Sequence, residues 1–121
     1  MSDVFPAVGH KYLVDFRSDA GDRFRVQLDF ASETSLTYTG IDGNGNPIPN
    51  SSETVNITVE PIRDQLFLVT WQEEGGTTVV HLEDYKLNTI ITNITDPPPP
   101  NSPPNTLPSF SKFHGTMTQI S

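Results

Sequence analysis

Glu73 and His81 are the residues of this sequence whose types and spacing suit proton-transfer chemistry. They flank Glu74-Gly75-Gly76, a run that is typical of a tight hairpin turn. If two strands meet at that turn, Glu73 and His81 could project into the same interior. Imidazole titrates near neutrality, and a nearby carboxylate can give or take a proton. The pair is therefore our candidate for the catalytic residues.

Both residues also have an ordinary structural interpretation. A Glu before a Gly-Gly turn is commonly a solvated rim residue, and a single His on a half-buried strand is commonly structural. The strand that carries His81 is ambiguous, because Val80 and Leu82 could equally form its inward set and leave His81 outside. The pattern leaves both interpretations open.

Aromatic and apolar side chains on the same kind of strand could line a ligand pocket. A large aromatic such as Trp71 is expected to point inward. An apolar lining with a few hydroxyl groups is typical of small-molecule sites. The alternative is that these side chains fill the interior completely. The predicted ligand-binding residues are Tyr12, Phe16, Phe24, Tyr38, Val59 and Trp71.

Alternation with a period of two indicates the strands that must position these residues. Residues 23–30 show it most clearly, since four apolar side chains alternate there with four polar ones. No window of 11 or more residues has the pattern of an amphipathic helix. The other predicted strands are residues 11–16, 35–39, 54–60, 66–72, 77–83, 87–94 and 110–119.

About eight consecutive strands predict an all-β fold. An antiparallel sheet of this size has exposed edges unless it closes on itself. We therefore predict a single antiparallel up-and-down β-barrel over residues 1–121, whose interior could hold one small ligand. A two-sheet sandwich is the alternative.

One segment interrupts the strand pattern. Residues 96–108 contain seven prolines in 13 residues and lie between the last two predicted strands. Such a run favours extended polyproline II. It could form a stiff flap over a barrel mouth or a ligand for a proline-binding domain, and the alternative is a tolerated surface insertion.

Composition excludes several classes of function. The chain has 7 Lys and Arg against 15 Asp and Glu, a net charge of −8, so nucleic acid and anionic membranes are not expected partners. The lack of cysteine excludes disulfides and thiolate chemistry. No phosphate loop or metal-ligand spacing occurs, so we expect no cofactor and no metal. Without an apolar leader or an 18-residue apolar run, a cytoplasmic protein is expected. The oligomeric state stays open.

The hairpin sequence resembles the MoaF-related lipocalin-like proteins, a calycin family. The resemblance lies in residues 67–73 and 76–85, and residues 5–12, 36–40, 89–94 and 115–118 fit the same pattern. It covers nearly the whole chain, and the proline-rich run is an insertion relative to it. The resemblance implies a small calycin-type barrel and names no substrate.

A more distant resemblance is to the phenolic acid decarboxylases, which are calycin barrels without cofactors. Their Trp-x-Glu followed by Gly-Thr recurs as Trp71-Gln72-Glu73 and Gly76-Thr77. On that match Glu73 takes the position of their catalytic carboxylate. Their two substrate-binding tyrosines would fall near Val14 and Phe16, and their cavity arginine has no counterpart, so their specific activity is not expected here.

Three functions are compatible with these patterns. The first is a barrel that holds a hydrophobic or aromatic small molecule. The second is a cofactor-independent enzyme of decarboxylase, isomerase or cyclase type, with Glu73 as general acid or base. The third is a protein-interaction module that uses the proline-rich loop.

Overall fold

The computed structural model describes residues 4–121, which form nine antiparallel strands. Each strand pairs with its neighbours in the order β4-β3-β2-β1-β9-β8-β7-β6-β5, so the first and last strands, β1 and β9, lie side by side at the centre. The predicted all-β, antiparallel up-and-down barrel is confirmed. The strands are β1 (Lys11–Arg17), β2 (Arg23–Ser32), β3 (Ser35–Ile41), β4 (Pro47–Asn56), β5 (Thr58–Arg63), β6 (Leu66–Gln72), β7 (Thr78–Asp84), β8 (Thr89–Asp96) and β9 (Ser109–Gln119).

The difference between eight predicted strands and nine observed ones arises at Ile57. β4 pairs with β3 and β5 pairs with β6, yet a single residue, Ile57, separates the two strands. The inward alternation continues through it, because Val55 and Ile57 are buried and Val59 is half-buried. β4 and β5 are therefore one run of chain that bends at Ile57 and passes from one edge of the curled sheet to the other.

The two edges of the sheet carry prolines. Pro47 and Pro49 lie on β4, and Pro61 lies on β5. Proline has no N–H to donate to another strand, so these positions protect the edges from pairing with a further chain. Within residues 4–121 we find no helix of the length and apolarity that a membrane span requires.

One end of the barrel is filled by aromatic rings. Phe5, from the segment before β1, lies 5.2 Å from the rings of Phe30 and Phe67 and 5.6 Å from Tyr85, all in edge-to-face geometry. The Tyr12 ring lies 5.5 Å from Tyr85. We call these five residues the base cluster. Because Phe5 is only 2% exposed, the base cluster closes this end.

The opposite end carries a second aromatic group. The rings of Phe16 and Phe113 each interact with Phe24, at centroid distances of 4.9 Å. We call these three residues the rim cluster. Phe24 is 38% exposed, so this end is covered less completely than the base.

The proline-rich segment forms turns. Residues 97–108 connect β8 to β9, and the N–H groups of Ser102 and Thr106 donate to the carbonyls of Pro99 and Pro103, each over 3.2 Å. Asn101 and Asn105 have φ values of 68° and 67°. Proline followed by a residue with positive φ defines a type II turn. The segment thus contains two successive type II turns where composition favoured an extended polyproline helix.

Gly115 on β9 is required by the close approach of β1. A Cβ atom added at Gly115 would lie 1.9 Å from the carbonyl oxygen of Asp15, which is a backbone atom and cannot turn away. We therefore expect Gly115→Ala to lower the free energy of unfolding by at least about 3 kcal/mol, beyond ordinary overpacking. Urea unfolding followed by circular dichroism measures this.

Gly43 offers the matched control, because no atom lies within 4 Å of its added Cβ. Gly43→Ala is expected to change the free energy of unfolding by less than about 0.5 kcal/mol. Equal unfolding midpoints for the two variants would contradict the proposed constraint between β1 and β9.

Candidate functional site

The inward face of β7 carries three buried residues. Val79, His81 and Glu83 are 4%, 3% and 0% exposed, whereas Val80 on the other face is 37% exposed. The ambiguity left by the sequence is therefore resolved in favour of an inward His81. Period-two alternation then brings His81 and Glu83 together on one face of a single strand.

Glu83 joins His81 to Tyr85. His81 Nδ1 lies 2.8 Å from Glu83 Oε2, and the Tyr85 hydroxyl donates to Glu83 Oε1 over 2.5 Å. The side chains of His81 and Glu83 are 4% and 0% exposed. A carboxylate removed from water needs such partners for both oxygens. With Glu83 as acceptor, Nδ1 is the nitrogen that donates.

Two polar atoms beside this chain of hydrogen bonds have no partner. His81 Nε2 makes no hydrogen bond within residues 4–121. Thr92 on β8 is 0% exposed, and its Oγ1 has no hydrogen-bond partner either. Thr92 lies directly opposite His81 in the β7–β8 register, where Cβ atoms are about 5 Å apart. We call His81, Glu83, Tyr85 and Thr92 the His81 site.

Aromatic and apolar side chains surround the His81 site. The Trp71 ring lies 4.7 Å from the His81 ring at an interplanar angle of 78°, and the Phe16 ring lies 6.0 Å away. Val69 faces His81 across the β6–β7 ladder. The uncovered nitrogen of His81 therefore lies in a largely apolar environment.

Glu73 lies on the rim side of Trp71. It is half-buried, and its Oε2 accepts a hydrogen bond of 3.1 Å from Trp71 Nε1. Tyr38 stacks on Trp71 and donates its hydroxyl to Glu53 Oε1 over 2.8 Å. In the described chain His81 is bonded to Glu83, and Glu73 to Trp71. The two predicted catalytic residues thus have separate partners, and their roles stay predictions.

The predicted ligand-binding residues are spread over both ends of the barrel. Tyr12 belongs to the base cluster, while Phe16 and Phe24 belong to the rim cluster. Tyr38 and Trp71 stack on each other beside Glu73. Val59 on β5 is half-buried and lies opposite Val69. Only Phe16 and Trp71 of this set have ring contacts with His81.

Three members of the His81 site were not predicted as site residues. Glu83 and Tyr85 follow His81 at intervals of two, so a His-x-Glu-x-Tyr pattern on one strand face was the available signal. No comparable signal existed for Thr92. Its position depends on the register between β7 and β8, which a sequence pattern does not specify.

A surface groove lies beside the rim, on the outward face of β1, β2 and β3. It has a volume of about 460 Å³ and is lined by Phe24, Ile41, Ile48, two arginines and neighbouring polar residues. We call it the rim groove. Phe24 contacts Phe16, and Phe16 contacts His81, so the rim cluster separates the groove from the site. Among residues 4–121, no group of three or more His, Asp or Glu side chains could hold a metal ion.

All three tyrosines of the chain have pKa values raised above 10.0. For Tyr85 the cause is burial, followed by the charge and hydrogen bond of Glu83. Burial and Glu83 also raise the pKa of Tyr12. Burial, together with Glu53 and Glu73, raises that of Tyr38. In each case the neutral phenol is the form that the fold favours.

The tyrosines therefore predict a loss of stability at alkaline pH. Their raised pKa values stabilise the fold fully below pH 10.0, the unfolded value, and this contribution declines as pH rises further. Above pH 10.0, each tyrosine that stays protonated in the folded state lowers the free energy of unfolding by about 1.4 kcal/mol per pH unit, because the same tyrosine ionises in the unfolded chain. Tyrosinate absorbance at 295 nm should appear only with unfolding detected by circular dichroism. A folded protein with three tyrosines ionising near pH 10.0 would contradict this.

Thr92→Val is expected to stabilise the ligand-free protein. The Thr92 hydroxyl is buried without a partner, and Val replaces it with an apolar group of the same shape. The free energy of unfolding should rise by about 1 kcal/mol in urea titrations. Thr116→Val, on the exposed face of β9, is the control and should change little. If Thr92→Val is less stable than the wild type, the Thr92 hydroxyl has a hydrogen-bond partner in solution.

Comparisons with known proteins agree with this fold. No curated protein sequence matches the chain. A crystal structure from Burkholderia vietnamiensis, of a protein provisionally described as a beta-lactamase, superposes with a TM-score of 0.71. The match is 22% identical and covers 95% of this chain and 96% of the other, so it shows the fold alone. The family model described as MoaF-like matches residues 8–118, so the chain belongs to the MoaF-like family, as the hairpin resemblance implied.

Proposed function

We propose that this protein is a small-molecule-binding barrel whose apolar or aromatic ligand enters from the rim and places one polar atom between His81 and Thr92. The observation that carries the proposal is the pair of unpartnered polar atoms, His81 Nε2 and Thr92 Oγ1, on adjacent inward positions. Thr92 Oγ1 is the buried atom of the two, and folded proteins rarely retain a buried polar atom without a partner, because its desolvation costs about 1–3 kcal/mol. A ligand atom that bonds to Thr92 Oγ1 recovers that cost, and His81 Nε2 offers the same atom a second partner.

A hydroxyl group suits this pair of atoms. Neutral His81 presents the Nε2 lone pair, because Nδ1 donates to Glu83. A ligand hydroxyl can donate to Nε2 and at the same time accept from the Thr92 hydroxyl. Phenols and apolar alcohols combine such a group with a body that matches the surrounding rings. They are therefore the ligand class that the His81 site fits.

The apolar body of the ligand would lie against Trp71 and the rim cluster. Phe24 is exposed in the rim groove and also contacts Phe16, which lies beside His81. Movement of the Phe24 side chain would therefore open the rim above Phe16 and His81. At the base Phe5 is 2% exposed, whereas Phe24 at the rim is 38% exposed, and this difference favours the rim as the entrance.

The description of the structural neighbour as a beta-lactamase gains no support from this chain. Ser109-Phe110-Ser111-Lys112 matches the Ser-x-x-Lys spacing of serine beta-lactamases by sequence. These residues lie on β9, where positions three apart point to opposite faces of the strand. Ser109 and Lys112 therefore do not form a nucleophile and base pair.

Trp71 provides a direct test, because it is the single tryptophan of the chain. N-phenyl-1-naphthylamine bound near it should emit on excitation of tryptophan, and 4-ethylphenol should displace the probe. We expect 4-ethylphenol to compete more strongly than 4-ethyltoluene, which has the same shape and no hydroxyl. Thr92→Val should weaken the affinity for 4-ethylphenol by about 5- to 10-fold, the equivalent of about 1 kcal/mol, and leave the affinity for 4-ethyltoluene unchanged.

Thr116→Val serves as the control and should bind both compounds as the wild type does. If neither 4-ethylphenol nor 4-ethyltoluene displaces the probe, the proposed binding site at His81 and Thr92 is rejected. If Thr92→Val loses the same affinity for 4-ethylphenol and for 4-ethyltoluene, the proposed role of the Thr92 hydroxyl is rejected.

A further inference from the structure

We infer that the His81 site is also a proton-transfer centre, in which His81 removes a proton from the carbon next to the carbonyl group of a neutral aromatic ketone. This inference rests on the proposed function, because it uses the same entrance and the same two unpartnered atoms. It assigns the base to His81 and the positioning role to Glu83. Glu73, the carboxylate favoured by the sequence, has no part in it.

Glu83 holds His81 in the geometry that a general base requires. The bond of 2.8 Å to Nδ1 fixes the orientation of the ring and leaves Nε2 as its reactive atom. Tyr85 holds the second oxygen of Glu83 over 2.5 Å, so the carboxylate cannot turn away from the ring. Such a base with its own orienting group is the arrangement of acid–base and nucleophilic enzymes.

Thr92 supplies the hydrogen bond that an enolate oxygen needs. Its hydroxyl has no partner in the structure and lies opposite His81 in the register, so it is free to donate to a ligand oxygen. Phe16, Val69 and Trp71 make the surroundings apolar, and hydrogen bonds to a developing negative charge are stronger in such surroundings.

The reaction balances without a further reagent. The proton moves from carbon to His81 Nε2, and the electron pair of the C–H bond forms a C=C bond. The π pair of the carbonyl moves to oxygen, which becomes an enolate bound by Thr92. The protonated ring then returns its proton to carbon or to oxygen. The net chemistry is tautomerisation or isomerisation, and no electrons are gained or lost.

Few titratable groups surround His81. Glu83 lies on the same strand, Tyr85 follows that strand, and Tyr12 faces Glu83 from β1. The residues packed on the ring from β1, β6 and β8 are uncharged. Among residues 4–121, Glu83 is consequently the one anion in direct contact with the ring, and removal of its charge should alter the pH dependence of the reaction.

Hydrogen exchange tests the inference. The probe is 1-phenylpropan-2-one in D₂O, and ¹H NMR follows the loss of its benzylic signal. The wild-type protein should accelerate exchange above the buffer rate, and His81→Gln should reduce this acceleration at least about 100-fold. His114→Gln, at an exposed position on β9, is the matched control and should exchange the probe as the wild type does.

Glu83→Gln tests the positioning role. The amide can accept from Nδ1 and donate to the Tyr85 oxygen, so it keeps both contacts and removes the charge. We expect slower exchange at neutral pH and a changed pH profile, because the amide places no negative charge beside the ring that takes up the proton. An unchanged pH profile in a folded Glu83→Gln protein would overturn this role. If Glu83→Gln does not fold, Thr92→Val replaces it, and wild-type exchange rates in that variant would overturn the inference.

The outcomes separate this inference from the proposed function. If the wild-type protein binds 4-ethylphenol but does not accelerate hydrogen exchange, the proton-transfer inference is overturned and the binding function stands. A protein that neither binds nor accelerates exchange overturns both. Full exchange in His81→Gln, or loss of exchange in Glu73→Gln alone, would show that His81 is not the base.

Discussion

The buried carboxylate of Glu83 is the constraint on which the interior of this barrel depends. A charge at 0% exposure persists only where both of its oxygens are bonded, and here the partners are His81 and Tyr85. Tyr85 also packs against Phe5 and Tyr12 in the base cluster. The packing of the closed end and the orientation of His81 are thus set by one side chain.

The two ends of the barrel differ because of this arrangement. At the base, interlocked aromatic rings and the Glu83 hydrogen bonds fill the space. Towards the rim, Thr92 and His81 present atoms without partners, and Phe24 is partly open to solvent. The aromatic ring contacts are therefore densest at the base, and the polar atoms without partners lie between the base and the rim.

Much of the fold could be predicted from the sequence. The alternation of apolar and polar residues, as in residues 23–30, places the apolar side chains on one face of a strand and scatters them around a helix. The bend at Ile57 was not visible, since alternation continues through it. The inward face of β7 was ambiguous because both faces carry apolar residues. Thr92 became part of a site only through register. In the proline-rich run, the Pro-Asn pairs were a turn signal that the overall composition concealed.

The two proline turns between β8 and β9 separate the length of this loop from the register of the strands. Each turn closes on itself through a bond between its first carbonyl and its fourth N–H, within four residues of chain. Asp96 and Ser109, at the two ends of the loop, are already paired partners in the sheet. Such four-residue units can be gained or lost whole, because neither strand has to shift its register. The length of the loop is therefore independent of the strand register and of the residues that hold the interior together.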